Sequence, residues 1–332
     1  MKRQVGFPFV SEALALLCLA LALLNGCAHA LTVAPGYTVN EIPYSGGRFA
    51  WIDSETVLFI GARNHPTDPR AVVGPTALHR WNVKTGEVSA IMDVGEAADV
   101  CYDRGYLYVA FNRGDDRVIR QGPIERQEEI VFKRRTESPF KGHFNRYNCR
   151  FREIPRATRP DYGVDTVLRD DHGFIEAERP SEPFPQRKYF LVRPPDQRIQ
   201  ISLPCGAGGP RYSEFRHAYV YQDGRGFSSR NIERRVCVVG IDGTVANYTL
   251  PKGDWLQGTV YGMPMQGALL MISLSTVEGA YLVRGDSVEK IVKGYVNSFA
   301  VSPDGCTVAL NINPKNGDGA RDAALNVCKG GA

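Results

Sequence analysis

Between Val296 and Val327, two short apolar runs, Phe299–Val301 and Thr307–Asn311, flank the tetrapeptide Ser302-Pro303-Asp304-Gly305. Pro303 presets φ for a tight turn, Asp304 can bond the backbone just ahead of it, and Gly305 can take the positive φ that closes it. A third run, Ala323–Val327, follows a polar loop. The local chemistry therefore predicts three antiparallel strands in chain order. A chain built from such pieces is committed to an all-β architecture.

The same unit recurs. Strand–turn–strand patterns are read at Leu78–Met92, Arg117–Phe132, Tyr189–Leu203, Val236–Leu250 and Tyr281–Val292, with turns at Lys84-Thr85-Gly86, Gln121-Gly122-Pro123, Pro194-Pro195-Asp196, Asp242-Gly243 and Gly285-Asp286. A sixth, Leu325–Lys329, ends without a second strand. Further hairpins precede them at Phe49–Ile60, Asp99–Phe111, Ala218–Phe227 and Gly258–Ile272. Four of the five steps between outer turns fall near the ~40–50 residues of one propeller blade. The expectation is a six-bladed β-propeller, or seven blades if the one long step holds a degenerate blade. Tyr37–Pro43 is a lone strand without a mate, and is expected to complete the last blade and leave no free sheet edge.

The N-terminus reads as an address. Lys2 and Arg3 precede the apolar run Ala13–Leu24, which is short for a bilayer span and suited to a signal peptide. Cleavage before Cys27 would give a lipoprotein with Cys27 lipidated; cleavage after Ala30 would give a soluble exported chain. Residues 1–30 are thus expected to be signal peptide, and residues 31–332 a single domain with an irregular basic, Pro-rich insertion at about 133–188. Export implies the periplasm, with outer-membrane anchoring through the lipid.

Six cysteines remain beyond Cys18 and Cys27: Cys101, Cys149, Cys205, Cys237, Cys306 and Cys328. In an oxidising compartment these form up to three disulfides. Cys306 opens one strand and Cys328 lies late in its antiparallel neighbour, which places them within reach of each other. Cys205 with Cys237, and Cys101 with Cys149, follow by elimination.

Charge is unevenly spread. Arg113–Arg159 holds thirteen Lys and Arg against seven Asp and Glu, whereas the whole chain carries only +4. Within it Arg134, Arg135, Arg146, Tyr147, Arg150 and Arg152 form the candidate binding set, with Phe140, Phe144 and Phe151 interleaved. Such a mixture suits an anionic ligand or an acidic protein face; nucleic acid is not expected outside the cell. His143, Asp171 and His172 are the candidates for acid–base chemistry, though nothing sets their spacing. No phosphate loop, GxSxG or HExxH motif occurs, and neither cofactor nor metal is expected.

Ser298–Asn311 resembles the SPDG-type repeat shared by WD40-like and TolB-like β-propellers. The resemblance extends by pattern to about five other units, while Ala157–Arg187 departs from it. It implies a propeller without choosing among scaffolds, lactonases, sialidases and quinoproteins. The functional expectation is a monomeric cell-envelope lipoprotein that binds or scaffolds an envelope protein or anionic ligand. The alternatives are a hydrolase or lactonase with a divalent metal in its central tunnel, and a periplasmic immunity protein against an envelope toxin.

Overall fold

The computed structural model describes residues 31–68, 70–132, 142–144, 149, 151–153, 174–178, 188–193, 197–205, 211–222, 234–240, 242–256, 260–273, 278–314 and 319–328. These residues are all-β, with one 3-10 turn at Asp254–Leu256. Strand β1 (Thr38–Ile42) comes first. The first sheet holds β2 (Tyr44–Trp51), β3 (Thr56–Asn64), β4 (Val72–Asn82) and β5 (Val88–Asp93) in that order. The second holds β6 (Glu96–Asp103), β7 (Tyr106–Arg113), β8 (Asp116–Pro123) and β9 (Glu128–Phe132). A two-stranded hairpin, β10 (Gly142–Phe144) and β11 (Phe151–Glu153), follows. The third sheet is β12 (Phe174–Glu178), β13 (Lys188–Arg193) and β14 (Gln197–Ile201). The fourth is β15 (Arg211–Ser213), β16 (Ala218–Gln222), β17 (Arg234–Gly240) and β18 (Val245–Leu250). The fifth is β19 (Val260–Met265), β20 (Ala268–Ser273), β21 (Gly279–Arg284) and β22 (Ser287–Lys293). The last sheet is β23 (Tyr295–Val301), β24 (Thr307–Asn313) and β25 (Arg321–Asn326), extended by β1 on the far side of β25.

Apart from β1, which joins the last sheet beside β25, the strands of each sheet form an antiparallel meander in chain order, the strand order of a propeller blade. Burial follows the same logic. The second strands β3, β7, β20 and β24 are buried on both faces, which requires a sheet on either side. Along β3 the alternate residues Val57 and Phe59 pack with Trp81, Ala309 and Ala324 toward the last sheet, while Leu58 and Ile60 pack with Val109, Phe111 and Val118 of the second. The outer strands β5, β9, β14 and β18 are largely exposed.

The turn at Ser302–Gly305 forms as its residues dictate. Gly305 N–H bonds the Ser302 carbonyl at 2.8 Å, Asp304 Oδ1 accepts from Cys306 N–H at 3.0 Å, and Gly305 sits at φ 73°. Two hairpins differ from expectation. The turn placed at Gln121–Pro123 lies later: Arg126 N–H bonds the Pro123 carbonyl at 2.8 Å, so β8 continues through Pro123 and Arg120 stands opposite Glu129. Of the hairpin expected at Ala218–Phe227 only the part through Gln222 lies within the described residues. Ala218–Gln222 is the second strand of its sheet, pairing with Arg211–Ser213 on one side and Arg234–Gly240 on the other. Its turn is Glu214–His217, where His217 adopts φ 45°. Short, weakly patterned β15 gave no apolar run to read.

The first and last sheets meet through polar contacts. Trp51 Nε1 donates to the Ala300 carbonyl at 3.1 Å and Asn64 Nδ2 to the Ala320 carbonyl at 3.3 Å. Between them lies Asp322 on β25, fully buried, accepting from Asn311 Nδ2 at 2.7 Å and Gly46 N–H at 3.4 Å through Oδ1, while Oδ2 has no hydrogen-bond partner. Glycine is required here: a Cβ on Gly46 would stand 2.0 Å from the Ile60 carbonyl oxygen. Burial pushes the Asp322 carboxyl up to about 7, against the smaller opposing pull of its two donors.

The sign of the linkage follows. The folded state holds the proton at pH values where the unfolded chain has released it, so this contribution is complete below about pH 4, falls as pH rises toward 7 and is flat above. Relative to an Asp322→Asn variant, the wild type should therefore lose roughly 2–3 kcal/mol of unfolding free energy between pH 5 and pH 8. Urea unfolding of both proteins at the two pH values checks this; parallel pH profiles would contradict it.

Candidate functional site

The functional reading begins at the second sheet, because the basic segment of the sequence is rooted there. Strand β6 presents Asp99 and Cys101 on the same face, two residues apart. Cys101 is joined to Cys149, with Cα atoms 5.5 Å apart. The Asp99 carboxylate accepts from Phe144 N–H at 2.8 Å. The Phe144 side chain is buried with Cys101, Ala110, Ile119 and Cys149, its ring centroid 6.2 Å from that of Tyr108. One covalent bond, one buried charge-assisted hydrogen bond and one buried aromatic ring thus anchor the hairpin β10–β11 to β6. The other disulfides are Cys205–Cys237 and Cys306–Cys328; the latter brackets the β24–β25 pair, where Val327 N–H bonds the Cys306 carbonyl at 2.8 Å. Three disulfides belong to an oxidising, exported environment. Among the described residues, no helix is long and apolar enough to cross a membrane.

Of the expected site residues, His143 and Arg152 are brought together as directly paired positions on β10 and β11. Arg134, Arg135, Arg146, Tyr147, Arg150, Asp171 and His172 lie outside the described residues, as do Cys27 and the signal segment. The stretch expected to be irregular also contains β12, the first strand of the third sheet.

Sequence reasoning missed a second feature of this sheet. A cleft of about 730 Å³ opens beside it, lined by Asp93, Phe111, Asn112, Arg113 and Arg120 among others. Arg113 Nη1 and Nη2 donate to the two Glu129 carboxylate oxygens at 3.0 and 3.3 Å, and Arg120 Nε donates to Oε2 at 3.0 Å. Arg113 holds the Glu129 carboxyl below the usual carboxylate range, with Arg120 contributing after it. The Arg113 guanidinium also lies 5.5 Å from the Phe111 ring centroid. The two guanidiniums are matched in number by the carboxylates of Glu129 and of Asp93, which also lines the cleft. The signal was the register. With the β8–β9 turn placed three residues too early, Arg120 and Glu129 did not face each other. Among the described residues, no three His, Cys, Asp or Glu side chains gather where a metal ion could be held.

No family model matches the chain and no curated protein matches it. Among solved structures, a gluconolactonase of Xanthomonas campestris is similar at 12% identity and a TM-score of 0.39, over 89% of this chain and 93% of that one. The subtype N10 neuraminidase-like protein of A/little yellow-shouldered bat is similar at 9% identity and a TM-score of 0.38, over 90% and 99%. The WD40 domain of Toxoplasma gondii coronin gives 9% and 0.34, over 90% and 89%. At these scores the likenesses carry no argument about family, substrate or reaction. The propeller-type organisation rests on the sheets themselves.

Removing the covalent anchor should loosen the hairpin more than the sheets. A Cys101→Ser/Cys149→Ser variant is expected to lose about 4 kcal/mol of stability, from a cross-link spanning 48 residues. Limited trypsin digestion should cut between residues 133 and 153 at least about tenfold faster, with cleavage elsewhere little changed, as local opening predicts. Uniformly accelerated cleavage would show that the disulfide holds the whole fold instead.

Proposed function

We propose that this chain is an exported cell-envelope β-propeller acting as a binding or scaffold module, with the basic segment rooted on β6 as its contact surface for an envelope protein or an anionic ligand. The observation that carries the reading is the threefold anchoring of β10–β11 by Cys101–Cys149, Asp99 and Phe144. A solvated loop with no task needs no such mooring. A binding loop does, because ordering it beforehand lowers the entropy lost on association. The excess of Lys and Arg in Arg113–Arg159 favours an acidic counterpart.

The finer architecture belongs to the same reading. The six sheets of three or four strands among the described residues are read as six blades, with β10–β11 an appendage of the second. The pairing of β1 with β25 supports closure of the ring by the N-terminal strand. Three side chains reinforce that seam: the Tyr37 hydroxyl donates to Glu289, and Arg284 donates to the Tyr37 oxygen and the Val327 carbonyl, each at 3.2 Å. Residues 1–30 are a signal peptide, and lipidation of Cys27 would hold the domain at the outer membrane.

The test is crosslinked capture from solubilised envelopes, using the mature chain beside a variant with Arg134, Arg135, Arg146, Arg150 and Arg152 changed to Gln. One partner recovered by the first and lost by the second is the expected result. Recovery of nothing by either bait, together with one tightly held divalent ion per purified chain, would overturn this reading in favour of the lactonase alternative. A partner that is a secreted toxin would specify the module as an immunity protein.

A further inference from the structure

At about 730 Å³, the cleft beside the second sheet has the size of a small-molecule site. Its lining comes from two sheets: the end of β5 and the link after it on one side, β7 and β8 on the other. Gly95, in that link, lies so close to β7 that a Cβ would stand 1.7 Å from the Asn112 carbonyl oxygen. Only glycine permits this approach. Asp93 is two residues before Gly95, at most about 7 Å along the chain, and Arg113 directly follows Asn112. The close contact therefore brings a carboxylate of the first sheet and a guanidinium of the second into the lining of one cleft.

The donors on the second sheet are held in place without being exhausted. Arg113 uses one N–H of Nη1 and one of Nη2 on Glu129, and Arg120 donates to the same carboxylate through Nε. A guanidinium has five N–H groups, so both arginines keep some for a guest. Asn112 is oriented as well. Its Oδ1 accepts from Nη1 of the buried Arg117 at 3.0 Å, which leaves its Nδ2 as a further donor. The first sheet offers the opposite chemistry. Asp93 is exposed and makes no hydrogen bond or ion pair among the described residues. A plain anion in this cleft would be repelled by Asp93, and a plain cation by the arginines. A guest carrying both charges would satisfy each side.

We propose that the cleft is a binding site for a small zwitterion of the amino-acid kind, a free amino acid or a short peptide. Its carboxylate takes the remaining N–H groups of Arg113 and Arg120 with Asn112 Nδ2, and its ammonium pairs with Asp93. Glu129 acts here as a positioning residue, fixing both guanidiniums. The site adds a small-molecule ligand to the protein contact proposed for the basic segment and does not depend on it.

The experiment titrates the full mature chain calorimetrically with the common L-amino acids and with di- and tripeptides of glycine and alanine, each beside its N-acetyl and carboxamide derivatives. At least one zwitterion is expected to bind with a Kd below about 1 mM, and the length that binds best separates amino acid from peptide. Removing either of its charges should weaken binding at least about tenfold. This series uses the wild-type chain and so tests the proposal without any substitution. An Asp93→Asn variant, altered at an exposed position, should keep the wild-type melting temperature and lose at least about tenfold in affinity for the zwitterion. It should bind the N-acetyl form as the wild type does, because the two changes remove the same contact. Arg120→Gln should behave likewise toward the carboxamide. Absence of binding across the panel, derivatives that bind as tightly as their parent, or an Asp93→Asn variant with unchanged affinity would overturn the proposal.

Discussion

Most of the packing in this chain depends on burying the second strands β3, β7, β20 and β24 from both sides. Phe59 and Leu58 are neighbours on β3, point to opposite faces and are both inaccessible to water. One packs toward the last sheet and the other toward the second. A lone four-stranded meander could satisfy only one of them, and leaving the other in water would forgo on the order of 1.5–3 kcal/mol per side chain. Face-to-face stacking of successive sheets is the arrangement that satisfies both. It also explains the gradient of burial across each sheet, from closed second strands to open outer ones.

Such stacking leaves few places for polar groups. Asp322 is the costliest. It reaches Asn311 within its own sheet and Gly46 N–H across the junction, and burial favours its neutral form. His79 shows the milder case. Its ring stacks on Phe59 at 4.9 Å, its Nε2 lies 3.2 Å from the Gly61 carbonyl oxygen, and burial pushes its imidazole down. Both residues titrate, yet both are enclosed by packing, Asp322 at the junction and His79 within the first sheet.

The second sheet is where the constraint is relaxed. Its inner strand carries an appended hairpin held by a disulfide, its strands β7 and β8 line the arginine-bearing cleft together with the end of β5, and its outer strand exposes three large apolar residues in a row. These features occupy different parts of one sheet, from β6 to β9. A sheet that is rigid through its two buried faces can carry departures on its remaining borders without losing its shape, which is where binding surfaces are expected on such scaffolds.

Local chemistry was legible in the sequence wherever the cause is local. Alternation of apolar residues marked the strands, Pro303, Asp304 and Gly305 marked a turn, and the antiparallel pairing of β24 with β25 put Cys306 beside Cys328. The register of β8 against β9 was misread because Gln121-Gly122-Pro123 has turn composition yet remains in the strand, the chain turning only at Pro123–Arg126. β15 was missed because three half-polar residues carry no periodicity. The burial of Asp322, the bond from Phe144 N–H to Asp99 and the convergence of Arg113 and Arg120 on Glu129 could not be read at all. The first two join residues 276 and 45 positions apart in the chain. The third depends on which residues stand opposite across a turn. The sequence by itself determined strands, turns and an oxidising compartment, since each follows from neighbouring residues. Only the tertiary structure decided which charges are buried, since desolvation is set by what packs on top.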